Sequence, residues 1–131
     1  MPTPVTITPA LKAVDLDATI AFYTGELGFT VESLWPREAP TFCILDHGPT
    51  HLMFHTEPYE AAEGPPSMTG QLHIGLEAGV MELFERLKDH HEILWGPEVY
   101  SYGRREFSIR DPNGYRLVFS EQTNEKPTCE V

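Results

Sequence analysis

Residues 111–119 read DPNGYRLVF, and residues 46–54 read DHGPTHLMF. In each, turn-forming residues run into a strand-like segment with alternating apolar positions. In the later copy Leu117 and Phe119 point to one face, and Arg116, Val118 and Ser120 to the other, because successive side chains alternate across a strand. The copies align at a spacing of 65 residues: Asp46 with Asp111, Leu52 with Leu117, Met53 with Val118 and Phe54 with Phe119. The same spacing sets Thr8, on the expected first strand, beside His73, on the expected fifth. A spacing shared by both ends of each half indicates an internal duplication.

Each half carries one helix. Residues 17–28 open on Asp17, an acidic cap, and close on Gly28, which can take a left-handed conformation. Leu16, Ile20, Tyr23 and Leu27 recur at helical steps and form one apolar stripe. A second helix is expected from Val80 to His91, with Val80, Leu83, Phe84 and Leu87 on one face. Its glutamates sit early and Arg86, Lys88, His90 and His91 late, as the helix dipole favours. Strands are expected near residues 5–14, 29–35, 41–46, 50–56, 71–77, 93–99, 104–110 and 115–121. The order strand, helix, three strands therefore occurs twice, over about residues 5–57 and 71–121. A proline-rich linker, 58–70, joins the halves, and a polar tail, 123–131, is expected to be poorly ordered. An α+β domain of two βαβββ modules with a mixed, mainly antiparallel sheet follows.

The chain has 131 residues, enough for a core without disulfide staples. Its two cysteines, Cys43 in a strand and Cys129 in the tail, make no disulfide framework. The first residues, MPTPVTITPA, lack the basic and apolar regions of a signal peptide, and no apolar run approaches a membrane span. A cytoplasmic protein is expected. The net charge of −11 argues against nucleic acid and anionic membranes as partners and is compatible with a cationic ligand. An acidic surface that only aids solubility explains that charge more simply. Neither a nucleophile motif nor a phosphate loop nor a redox CxxC pair occurs, so no catalytic residue is assigned.

DLDATIAFYTGELGF (residues 15–29) followed by FSIRDPNGYRLVF (107–119) resembles the vicinal oxygen chelate superfamily. That superfamily groups glyoxalase I, extradiol dioxygenases, fosfomycin-resistance proteins and bleomycin-resistance proteins. The resemblance covers about residues 5–121 and implies two βαβββ modules whose curled sheets form a cup around a ligand. Metal-using members take their ligands from inward positions on the first and last strands of each module. The resemblance carries these onto Thr8, Met53, His73 and Val118, of which only His73 is a good donor. No metal and no cofactor are therefore expected. His51 and His55 share the face of Met53, but they lie four strand residues apart, too far to share an ion on a straight strand.

The run Tyr102-Gly103-Arg104 also resembles the bleomycin-resistance branch, whose members are acidic dimers that hold a cationic glycopeptide. The implied function is metal-free binding of a small, cationic ligand by a homodimer. Thr8, His51, Met53, His55, His73, Tyr102, Arg116 and Val118 are the expected ligand-binding residues, with Trp35 and Trp95 at the rim or the dimer contact, or packed in the core. The alternative is a metal-dependent lyase, isomerase or dioxygenase with a variant ligand set.

Overall fold

A computed structural model describes residues 1–57 and 64–129. Linker residues 58–63 and the last two residues of the tail lie outside the described residues. The chain divides into two compact units, Met1–Pro66 and Ser67–Val131.

The first unit runs β1 (Ala10–Lys12), α1 (Leu16–Gly25), β2 (Thr30–Trp35), β3 (Phe42–His47) and β4 (Thr50–His55). Its sheet has the order β1-β4-β3-β2, with β1 parallel to β4 and the other pairs antiparallel. The second unit repeats this with β5 (Leu72–Gly75), α2 (Val80–Leu87), β6 (Trp95–Tyr100), β7 (Arg104–Arg110) and β8 (Arg116–Gln122), in the order β5-β8-β7-β6. The α+β architecture of two βαβββ modules is therefore present, as two open mixed sheets, each with one helix.

Alternation decides what each sheet packs against its helix. In the first unit Cys43, Leu45, Leu52 and Phe54 turn towards α1 and pack with Phe22, Tyr23 and Phe29. The Tyr23 ring lies 5.1 Å from that of Phe54 and 5.6 Å from that of Phe29. In the second unit Phe107, Ile109, Leu117 and Phe119 form the matching core with Val80 and Leu87. Truncating one of these phenylalanines would cost about 3–5 kcal/mol.

Four local expectations need correction. The cap of α1 is Asp15, not Asp17: its backbone is extended and its Oδ1 accepts from Ala18 N at 3.0 Å. Asp17 lies in the first turn, where it favours the helix dipole. β1 is three residues, not ten, since Pro9 has no N–H to continue the ladder and Val5 and Ile7 are exposed. α2 stops at Leu87, where the N–H groups of His90 and His91 both donate to the Leu87 carbonyl, so the histidine pair lies in the turn beyond it. The tail is not loose throughout: Thr128 N donates to Val99 O, Val99 N donates to Thr128 Oγ1, and Arg105 pairs with Glu125. Gly28 does take the left-handed form, φ +77, just beyond α1, as expected.

Candidate functional site

Each sheet turns one face to its helix, and the candidate residues lie on the other. On β4 that other face carries His51, Met53 and His55, alternating with the buried Leu52 and Phe54. On β8 it carries Arg116, Val118 and Ser120.

Register decides which residues occupy the superfamily's metal-ligand positions. His73 stands opposite Val118, but the residue opposite Met53 is Ala10, not Thr8. Thr8 precedes β1, and the spacing of 65 fails by two residues at this strand because Pro9 O, accepting from Met53 N at 2.9 Å, fixes the pairing. The four positions are thus Ala10, Met53, His73 and Val118. Ala10 and Val118 have no donor atom, Met53 offers a neutral thioether, and Val118 is completely buried. One imidazole does not make a divalent-ion site, so the residues present do not fit a metal there.

The remaining expected residues divide between the units. His51 Nδ1 lies 2.6 Å from Asp46 Oδ1, directly across the β3–β4 ladder, and His55 Nδ1 lies 2.8 Å from the Glu57 carbonyl. In the second unit His73, Arg116 and Val118 share one face by register. Tyr102, in the turn between β6 and β7, joins that face by donating its hydroxyl to Glu106 Oε1 at 2.6 Å.

Three features were not anticipated from the sequence. A pocket of about 850 Å³ opens on the first unit, lined by Trp35, Phe42, Ile44, His55, Glu32 and Glu57. Trp35 is 67% exposed, an unusual state for a large ring and one that leaves its face available.

The second feature is a trio on three adjacent strands. The register shifts between Val31 and Ser33, making Glu32 the extra residue of a bulge, and bulges re-aim side chains. Glu32, Asp46 and His51 each bring one ligand atom within 4.8 Å of the others. The His51 hydrogen bond holds the Asp46 carboxyl below its ordinary value, while hydrogen bonding to Asp46 and its charge push the Glu32 carboxyl up.

The third is a network around Glu106, which is only 2% exposed. Its Oε1 accepts from Tyr102 and its Oε2 from Ser120 Oγ at 2.7 Å, while Arg104 Nε donates to Ser120 at 2.5 Å. His73 Nδ1 approaches Glu106 Oε2 to 3.8 Å. Burial, then the bond to Glu106, pushes the Tyr102 hydroxyl up to about 12. The sequence did carry a signal here: in RREFSIR, Glu106 and Ser108 alternate with Phe107 and Ile109, so their opposite face is polar.

The family model for the Glyoxalase/Bleomycin resistance protein/Dioxygenase superfamily matches residues 8–119. Three solved structures share the fold. A glyoxalase/bleomycin resistance protein/dioxygenase from Nocardioides is 21% identical, with 100% of this chain and 92% of that one covered and a TM-score of 0.71. TioX from Micromonospora sp. ML1 is 20% identical, with 91% and 99% covered and a TM-score of 0.77. A lactoylglutathione lyase from Agrobacterium tumefaciens is 24% identical, with 91% and 95% covered and a TM-score of 0.67. No curated protein matches the chain.

Proposed function

The chain belongs to the Glyoxalase/Bleomycin resistance protein/Dioxygenase superfamily, and from that premise we propose that it binds a small cationic molecule without using the superfamily's metal. The observation that carries this reading is the Trp35 pocket. An exposed indole, Phe42 and Ile44 offer an aromatic and apolar wall, and Glu32 and Glu57 add negative charge. A desolvated cation against such rings gains cation–π attraction, and the net charge of −11 draws it in. His55 lines the same pocket, on the face of β4 that also carries His51 and Met53. The donor-poor set Ala10, Met53 and Val118 supports binding over metal chemistry.

The protein would act in the cytoplasm as a homodimer, which covers open sheet edges. No helix among the described residues is long and apolar enough to cross a membrane. A monomeric mass by light scattering at micromolar concentration would count against the dimer. Titration with a bleomycin-type cationic glycopeptide at two ionic strengths tests the ligand: saturable binding that weakens with salt is expected, and its absence removes this reading.

A second reading rests on the Glu32–Asp46–His51 trio: a metal-dependent lyase, isomerase or dioxygenase with ligands displaced from the superfamily's positions. Two carboxylates and an imidazole suit a divalent ion. Metal analysis of protein purified without added metal decides. A stoichiometric ion that is lost in Asp46→Asn would favour the enzyme, and less than a tenth of an equivalent would remove it.

A further inference from the structure

The second unit holds an unmet hydrogen bond beside an underpaired charge. Ser108 Oγ is buried, its residue fully inaccessible, and among the described residues it has no hydrogen-bond partner. Buried hydroxyls without partners are uncommon and point to a missing group. Ser108 stands opposite Val118 and Trp95, on the face of Glu106. Two positions along one strand place the two residues roughly 6.5–7 Å apart.

Glu106 defines the charge of that group. Its carboxylate is almost wholly buried, yet its two hydrogen bonds come from the hydroxyls of Tyr102 and Ser120. Arg104 reaches it only through Ser120, and His73 stops at 3.8 Å. A buried carboxylate with hydroxyl donors alone is poorly compensated and favours a cation that brings N–H groups. Aromatic rings stand alongside: Trp95 meets Tyr100 edge to face at 5.9 Å, and Tyr102 stacks on Tyr100 at 5.5 Å. Rings beside a carboxylate suit a flat organic cation.

We propose that Glu106 and Ser108 anchor an N–H-bearing cationic group of a small ligand, an amidinium or primary ammonium, beside the Trp95–Tyr100–Tyr102 rings. This rests on the small-molecule reading above and names a chemical group and an anchor that the reading leaves open. An amidinium is the better match, because its planar fork can donate two parallel hydrogen bonds to a carboxylate.

Benzamidine is the probe, with neutral benzyl alcohol as control, followed by calorimetry and by the amide and indole signals of the second unit in NMR. Saturable binding of benzamidine is expected, at least about tenfold tighter than benzyl alcohol. Glu106→Gln should weaken it about tenfold or more and Ser108→Ala several-fold, with shifts at Trp95 and Ser108. Glu106→Gln keeps an acceptor for Tyr102, and Ser108→Ala removes an unpartnered hydroxyl. The free Ser108→Ala protein should therefore unfold at the same or higher denaturant concentration, which separates lost binding from lost folding. The proposal is overturned if benzamidine does not bind saturably, or binds both variants as tightly as the wild type. Failure of the glycopeptide titration with benzamidine binding intact would count against the drug-binding reading and not against this anchor.

Discussion

Glu121, on β8, closes the N-terminus of α2: its Oε1 accepts from Val80 N at 2.9 Å, inside the protein. The helix has no cap of its own, because Gly79 at that position has no side chain. A carboxylate from the sheet takes the cap's place, satisfies a first-turn N–H and complements the helix dipole. Its other oxygen lies 3.8 Å from Arg105 Nη1.

Removing this carboxylate should therefore loosen the second unit. Glu121→Ala leaves Val80 N without its acceptor and should cost about 2 kcal/mol in urea unfolding. Glu121→Gln keeps an acceptor and should lose less. Equal losses in the two variants would show that the cap is not the origin of the effect.

Gly96 is a second fixed point. At φ +80, a Cβ there would stand 2.3 Å from the Glu106 carbonyl oxygen and 2.9 Å from Phe107 Cα. Gly96→Ala combines backbone strain with a clash against β7, so a loss of about 3 kcal/mol or more is expected. Thermal unfolding checks this, and a change in midpoint of less than a degree or two would contradict the register of β6 against β7.

The two thiols should differ in reactivity. Cys43 is fully buried, and burial pushes its thiol up to about 11, whereas Cys129 is half-buried near the surface. With a thiol reagent at mildly alkaline pH, Cys129 should react first and Cys43 only on unfolding. Equal rates in the native protein would contradict the packing of β3.

Tyr102 supplies a pH signature. Its hydroxyl is pushed up to about 12, first by burial and then by the hydrogen bond to Glu106. The fold therefore favours the neutral phenol. The associated stabilisation is full below the ordinary tyrosine value near 10 and is lost as pH rises through about 12. Glu106→Gln removes the neighbouring charge, so the Tyr102 phenol, followed by its own NMR signal, should titrate closer to the ordinary value near 10. An unchanged titration would contradict the Tyr102–Glu106 bond.

Much of the architecture could be read from the chain, because alternation on β4 and β8 and the stripe on α1 are direct imprints of burial. Leu52, Phe54, Leu117 and Phe119 all face the cores, as their positions in DHGPTHLMF and DPNGYRLVF predict. The sites were harder, since they depend on register, which counting residues does not set. Thr8 missed β1 because hydrogen bonding at Pro9 starts the strand two residues later. Glu32 joined Asp46 and His51 only through a bulge, which shifts side-chain parity by one residue and has no marker in TVESLW. Glu106 was legible in the alternation of β7, whereas Trp35 is distinguished by exposure, a property of the folded chain.

Whether the Trp35 pocket holds a small cation is decided by calorimetric titration of the wild type and Trp35→Ala with a bleomycin-type cationic glycopeptide. Saturable binding to the wild type, weaker at high salt, and at least about tenfold weaker binding to Trp35→Ala are expected. No saturable heat with the wild type, or equal affinity in the two proteins without salt dependence, would contradict it.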